Sequence, residues 1–337
     1  FWKHLVETLG NNLGFKPSLA DPDLWYKPMS ASNGFKYYAY ILVYVDNILI
    51  IDKTPLSFME MIKEKFTVKP ESIIEPTSYL GADLSKVHFN DGSFAWLMGS
   101  ANYVGKVVKN VKKALERDGF EFNRKLSDIR YSPKQPYTTA SYRPEMDTSA
   151  LCNDKQVTFY QNLIGILRWI VELGRIDIAY EVSKLSSYLV EPRTGHIIQA
   201  IHIFKYLDIH RKSELALDPK YQYFELPEAV INRRSLMKEM YPDAKEDIPS
   251  NAPEPRGNSV QINCFVDSDH AGDKVTRRSQ TGILLYCNSA PIIWYSKRQS
   301  TCETSTFRSE FVALRIATEL VISLRYKLSM FGIPIMG

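Results

Sequence analysis

Cysteine is scarce in this sequence, four in 337 residues, and Cys152, Cys264, Cys287 and Cys302 stand far apart with no CxxC pair. That spacing indicates neither a disulfide framework nor a zinc site, and the four read as free thiols of an intracellular protein. Long hydrophobic runs are lacking as well. The strongest apolar stretch, residues 37–51, is interrupted by Asp46 and Asn47 and is shorter than the roughly 20 residues a membrane helix needs. No membrane-spanning segment or secretory leader is expected. Charge of one sign is not in excess: 42 Lys and Arg against 38 Asp and Glu leave +4, compatible with a polyanionic partner without demanding one. Histidine is sparse, and His196, His202 and His210 lie six and eight apart, not in the i, i+4 pairing of a helical metal site. Internal repeats and low-complexity tracts are absent. A starting methionine is missing too, so Phe1 implies a fragment whose natural beginning lies upstream.

What is present is ordinary globular material, 45% hydrophobic and 24% charged, in a length that suits two or three domains. Trp2, Leu5, Leu9 and Leu13 take helical spacings that end near Gly14. Residues 37–44 and 48–51 are rich in tyrosine, valine and isoleucine, with Asp46-Asn47 as a hairpin turn between them. Helices are expected over 58–66, 102–117, 157–173, 177–190 and 196–209, and an extended run over 78–87. The segment 211–258 carries six of the eighteen prolines, with eight basic and nine acidic residues, and reads as a linker or surface insertion. From Val260 onward three strands, INCFVD, TGILLYC and PIIWYSK, precede a helix over 305–330. The fold class is therefore a multi-domain α+β or α/β chain.

Carboxylates and cations mark where chemistry lies. Asp267 closes the first of the three late strands, and Glu310 falls one turn before an apolar helical face of Leu314, Ala317, Val321, Leu324 and Leu328. A carboxylate on such a face is costly without a partner or a cation. Two of them suit a hard divalent ion that polarises a phosphodiester, although Glu310 at the end of the stripe also suits simple solvation. Asp269 and Asp273 are near enough to replace Asp267 if the strand ends later. Beside them, Lys274, Arg277, Arg278, Lys297 and Arg298 give residues 274–298 five positive charges and no negative ones, as phosphate contacts require. Residues 103–143 hold ten Lys and Arg against four Asp and Glu, including Lys106, Lys109, Lys112 and Lys113. They form either a solvated face or a nucleic-acid contact. Asp46 alone, by pattern, is a good turn residue.

Several separated segments resemble, in order, the copia-type retrotransposon polyprotein. GFKPSLADPDLWYK, YVDNILI and YLGADL resemble its reverse transcriptase palm. FYQNLIGILRWIVELGRIDIAYEVSKLS and HIIQAIHIFKYL resemble the helical region that follows. FVDSDHAGDKVTRRSQTGILLYCNSAPIIWYSKRQS and STFRSEFVAL resemble the start of its ribonuclease H. The resemblance implies a palm remainder over 1–100, a helical thumb or connection over 101–210, the linker at 211–258, and a truncated ribonuclease H-like domain over 259–337. It implies Asp46 as a metal ligand of a tyrosine-x-aspartate-aspartate motif, and Asp267 and Glu310 as metal carboxylates for Mg2+, with Mn2+ a substitute.

The sequence also departs from that family. Asn47 stands where the motif has its second aspartate, Arg308 where a glutamate is frequent, and Ile176 where an RPDI-like segment has proline. A further polymerase carboxylate belongs upstream of Phe1, and further ribonuclease H acids lie beyond a strand that Gly337 cuts short. The function implied is a fragment of an RNA-directed DNA polymerase with ribonuclease H, inactive alone as a polymerase. The alternatives are a non-catalytic nucleic-acid-binding remnant and an unselected fossil. Implied partners are an RNA–DNA hybrid or a primed RNA template, and deoxynucleotides only if an upstream segment completes the palm. The implied location is a cytoplasmic particle or the nucleus.

Overall fold

The structure is a computed structural model and describes residues 2–45, 47–117, 142–224, 236, 239–243 and 246–336. Among them seven α-helices and three sheets give a mixed helix-and-sheet architecture of the α+β kind. The chain divides into two compact units. One comprises Phe1–Glu75, Lys220–Ile262 and Glu319–Gly337; the other comprises Pro76–Pro219 and Asn263–Thr318.

In the first unit, α1 (Trp2–Glu7) runs on as a π-helical turn over Thr8–Asn12. It buries Leu5, Leu9 and Leu13, three of the four apolar positions that the spacing predicts, while Trp2 stays exposed. Four strands follow in sheet order: β1 (Lys16–Pro17), β2 (Leu24–Ser30), β3 (Lys36–Tyr44) and β4 (Asn47–Ile51). Alternation along β3 turns Ala39, Ile41 and Val43 inward, onto Phe58 and Ile62 of α2 (Pro55–Lys63). That helix starts three residues before the expected 58, with Pro55 in its first turn, where a missing N–H goes unnoticed. The returning segments are tied to the same sheet. Tyr38 donates its hydroxyl to Glu254 O at 2.8 Å, and Tyr40 donates to Phe331 O at 2.9 Å. Gly332 sits at φ +72° with the Tyr38 ring 2.4 Å from where a Cβ would stand, so only glycine fits there.

In the second unit the extended run at 78–87 is divided. Leu80 and Gly81 adopt positive φ and turn it into β5 (Ser78–Tyr79) and β6 (Ala82–His88). β7 (Phe94–Gly99) and β8 (Glu214–Leu217) complete that sheet. β8 falls inside the proline-rich 211–258 segment and pairs antiparallel with β7, from Gly99↔Glu214 to Trp96↔Leu217.

Helices α3 (Ala101–Arg117), α4 (Asp154–Glu172), α5 (Ala179–Leu185) and α6 (Thr194–Ile209) share one core. Its members include Val104, Val107, Val108 and Val111 of α3, with Leu163, Ile164, Leu167 and Ile170 of α4. A reciprocal cap starts α4: Asn153 and Gln156 each accept the other's backbone N–H at 3.0 Å. The helix expected over 177–190 is instead the short α5 between 3-10 turns at Ile176–Ile178 and Ser186–Tyr188. The third sheet has the order β11-β10-β9, formed by β9 (Ile262–Ser268), β10 (Gln280–Cys287) and β11 (Ala290–Arg298). The long α7 (Thr306–Met330) follows, three strands and then a helix as the sequence order suggested. All four cysteines are free, and no helix among the described residues is long and apolar enough to cross a membrane.

One α5 side chain is a pH-dependent liability of this fold. Burial, reinforced by the nearby Asp177 charge, pushes the Glu181 carboxyl up to about 7. The charged form is therefore penalised in the folded state, a cost absent near pH 4 and complete above pH 7. Glu181→Gln is expected to stabilise the protein at pH 8 by on the order of 2 kcal/mol, since one pKa unit is worth about 1.36 kcal/mol. Near pH 4 it should change little. Thermal melts at the two pH values check this, and an equal shift at both would contradict it.

Candidate functional site

In the hairpin between β3 and β4, Tyr44 pairs with Asn47, so Asn47 opens the second strand and is not part of the turn. Val45 takes φ +57°, a left-handed conformation that a β-branched residue adopts only under strain. Such strain persists where the surroundings impose it and often accompanies a functional site. Asp46 itself lies outside the described residues, as do residues 118–141 of the basic run.

Asp267 and Glu310 are delivered to the same end of the third sheet. Asp267 is the penultimate residue of β9 and is exposed. Its carbonyl lies 4.0 Å from the point where Gly282 of β10 would carry a Cβ. Next to Gly282 stands Thr281, whose hydroxyl accepts from Gln299 Nε2 at 3.1 Å. The same Gln299 nitrogen donates to Ser309 O at 2.9 Å. This buried amide fastens the start of α7 to the sheet end, one residue from Glu310 on the helix and one from the neighbour of Asp267 on the strand.

Glu310 lies beside the apolar face of α7, not on it. The buried stripe of α7 runs Ser309, Ala313, Ala317, Leu324 and Leu328, whereas Leu314 is 51% exposed. Glu310 flanks that stripe and is half-buried, so solvation rather than a compensating cation meets much of its desolvation cost. Among the described residues no three His, Cys, Asp or Glu side chains gather as a metal-holding group.

The two neighbouring aspartates have structural tasks. Asp269 accepts the backbone N–H of Gln280, and its carboxylate occupies the space a Cβ at Gly272 would need, so residue 272 must be glycine. Asp273 accepts the N–H groups of Val275 and Thr276 at 3.1 and 2.8 Å, and the Arg298 guanidinium at 2.7 Å. Burial pushes its carboxyl upward, but the Thr276 N–H and the Arg298 charge outweigh this and hold it below the usual carboxylate range.

Arg298 is thus engaged by Asp273, while Arg277, Arg278 and Lys297 have no ion-pair partner among the described residues. Arg277 is exposed at φ +57°.

On α3, Lys106, Lys109 and Lys113 are exposed at positions i, i+3 and i+7, opposite the buried valines. Lys112 points elsewhere and pairs with Asp208 at 3.0 Å. His196 proves to be a packing residue: Nδ1 accepts from Arg193 N at 3.1 Å while Nε2 lies 2.9 Å from Pro144 O.

Sequence reasoning missed the strained Val45 and the buried Arg175, which holds Asp177 in two hydrogen bonds. Only the Arg-x-Asp spacing hinted at the latter.

No family model matches the chain. No solved structure matches it either. It is similar to the retrovirus-related Pol polyprotein from transposon RE1 of Arabidopsis thaliana, 23% identical over 304 residues, which are 89% of this chain and 16% of that protein. It is similar as well to the putative transposon Ty5-1 protein of Saccharomyces cerevisiae, 22% identical over 297 residues, 88% of this chain and 76% of that protein. A Plasmopara viticola protein named secreted RxLR effector protein 161 is 35% identical over 160 residues, 48% of this chain and 87% of its own length.

The first two likenesses each span nearly nine-tenths of the chain, and both are to proteins of transposons. The chain is similar, at 21–23% identity over most of its length, to the Pol polyproteins of copia-type retrotransposons.

Proposed function

We propose that this chain is the part of a copia-type RNA-directed DNA polymerase with ribonuclease H that grips an RNA–DNA hybrid and presents it to metal-binding carboxylates. The observation that carries the reading is the placement of Asp267 and Glu310 at one sheet end, in a region whose cations Arg277, Arg278 and Lys297 are unpaired among the described residues. In this reading residues 259–337 begin a ribonuclease H-like domain, 101–210 are a thumb or connection, and 1–100 are a palm remainder. The setting is a cytoplasmic particle or the nucleus.

The donor set fits magnesium, which binds through one or two carboxylates and keeps waters and substrate phosphates as its other ligands. Manganese suits the same oxygens. When bound, the ion supplies polarisation of the scissile phosphodiester. Asp267 and Glu310 would hold it, and the cations would position the sugar-phosphate backbone without reading sequence.

Polymerisation is outside this reading, because Asn47 puts a neutral amide where a hard cation needs a carboxylate. A non-catalytic hybrid binder is the second reading, favoured by the absence of a three-carboxylate group among the described residues.

Fluorescence anisotropy with a labelled RNA–DNA hybrid tests the shared part. Binding is expected to weaken steeply with salt, the logarithm of affinity falling by about 0.9 per phosphate contact for each tenfold rise in salt. No binding at low salt would refute both readings. Nucleotide incorporation on a primed RNA template by the purified chain would refute the exclusion of polymerisation.

A further inference from the structure

We propose that the cleft between α4, α5 and β11 is a second, non-catalytic grip for the backbone of one nucleic-acid strand. The inference rests on the hybrid-binding reading and assigns part of that grip to residues the sequence did not single out. The cleft holds about 470 Å³, with Arg168 and Glu172 of α4 and serines around α5 on one wall, and Arg278 with residues 294–300 on the other.

Its charge is one-sided. Arg168, Arg278, Lys297 and Arg298 line it against the single carboxylate of Glu172. Of the four cations only Arg298 has an ion-pair partner among the described residues. Unpaired cations grouped in a concave wall repel one another, and the binding of a polyanion relieves that repulsion.

The sheet-side wall is held in place before anything binds. Trp294, Ser296 and Arg298 alternate along β11 and so face one side. Each is anchored: Trp294 Nε1 donates to Val171 O at 3.1 Å, Ser296 Oγ accepts from Gln280 Nε2 at 2.9 Å, and Arg298 pairs with Asp273 at 2.7 Å. Gln280 Nε2 also donates to Ser183 Oγ at 3.0 Å, joining the helical wall to the sheet wall. The chemistry offered is guanidinium charge flanked by hydroxyls, over a floor that also includes Val171, Val182 and Trp294. That suits phosphodiester oxygens, which are bound by Arg, Lys and Ser side chains wherever proteins hold a nucleic-acid backbone.

The test is the salt dependence of RNA–DNA hybrid affinity for the wild-type chain, for the double variant Arg168→Gln with Arg278→Gln, and for Arg168→Lys. Arg168 is exposed on α4 and Arg278 is half-buried in the loop before β10, and an unchanged thermal melt confirms that the double variant folds. The double variant is expected to bind about tenfold more weakly at low salt, with a salt slope smaller by about 1.8, the worth of two phosphate contacts. Arg168→Lys, which keeps the charge, should retain the wild-type slope. A folded double variant with wild-type affinity and slope overturns the cleft proposal and leaves hybrid binding standing. A wild-type chain that does not bind hybrid overturns both.

Discussion

Asp177→Ala is expected to destabilise the second unit by about 3–5 kcal/mol, the cost of leaving a buried charge without its partner. The charge is that of Arg175, 2% exposed, whose Nε and Nη2 reach the two Asp177 oxygens at 2.9 and 2.6 Å. Tyr206 donates its hydroxyl to the same carboxylate at 2.8 Å. Burial pushes the Asp177 carboxyl upward, but the Arg175 hydrogen bonds and charge more than offset this and hold it below its ordinary range. Alanine removes the counter-charge and keeps the guanidinium in a site that cannot hydrate it. The melting temperature should fall by about 6–20 °C at roughly 2–4 °C per kcal/mol. Arg175→Met with Asp177→Ala should recover most of the loss, because an apolar side chain of similar length tolerates the site. Calorimetry of the three chains decides, and a fall below about 1 kcal/mol for Asp177→Ala would mean the pair behaves as a surface ion pair.

The other large effect is chemical. With magnesium, the chain is expected to cleave the RNA strand of a hybrid, and Asp267→Asn or Glu310→Gln should each reduce the rate on the order of 100-fold or more. A metal ligand supports several kcal/mol of transition-state stabilisation, and each 1.36 kcal/mol is about a factor of ten. Neither substitution should disturb folding, since Asp267 is exposed and Glu310 half-buried. Cleavage that survives both variants would remove these residues from the metal site. Binding without cleavage by the folded wild type would select the non-catalytic reading instead.

Much of the fold was legible because it is written in short-range patterns. The valines of α3 recur at helical spacing, and β3 alternates between faces, so each element announces its buried side within a few residues. The strands that escaped notice depend on neighbours. β8 is four residues of a proline-rich segment, and its extended form rests on pairing with β7, more than a hundred residues earlier. The candidate site was legible in the same partial way. Asp267 and Glu310 were picked from their positions at a strand end and on a helix, but Leu314 was misassigned to the buried face, because the stripe of a long helix drifts with its 3.6-residue period.

By itself the sequence determined most of the helices, the three late strands, the lack of cysteine pairing and the likeness to copia-type retrotransposon polyproteins. The tertiary structure alone decided which charges are committed and which are open. Arg298 and Lys297 are adjacent cations of equal promise in the sequence, yet Asp273 occupies the first and leaves the second without an ion-pair partner among the described residues. Arg168 reaches the same cleft as Arg278, 110 residues later, because α5 packs against β11 and Trp294 of β11 donates to Val171 O of α4. Periodicity encodes the face a residue takes on its own element. Which charges meet depends on contacts between distant segments, and no local pattern records them.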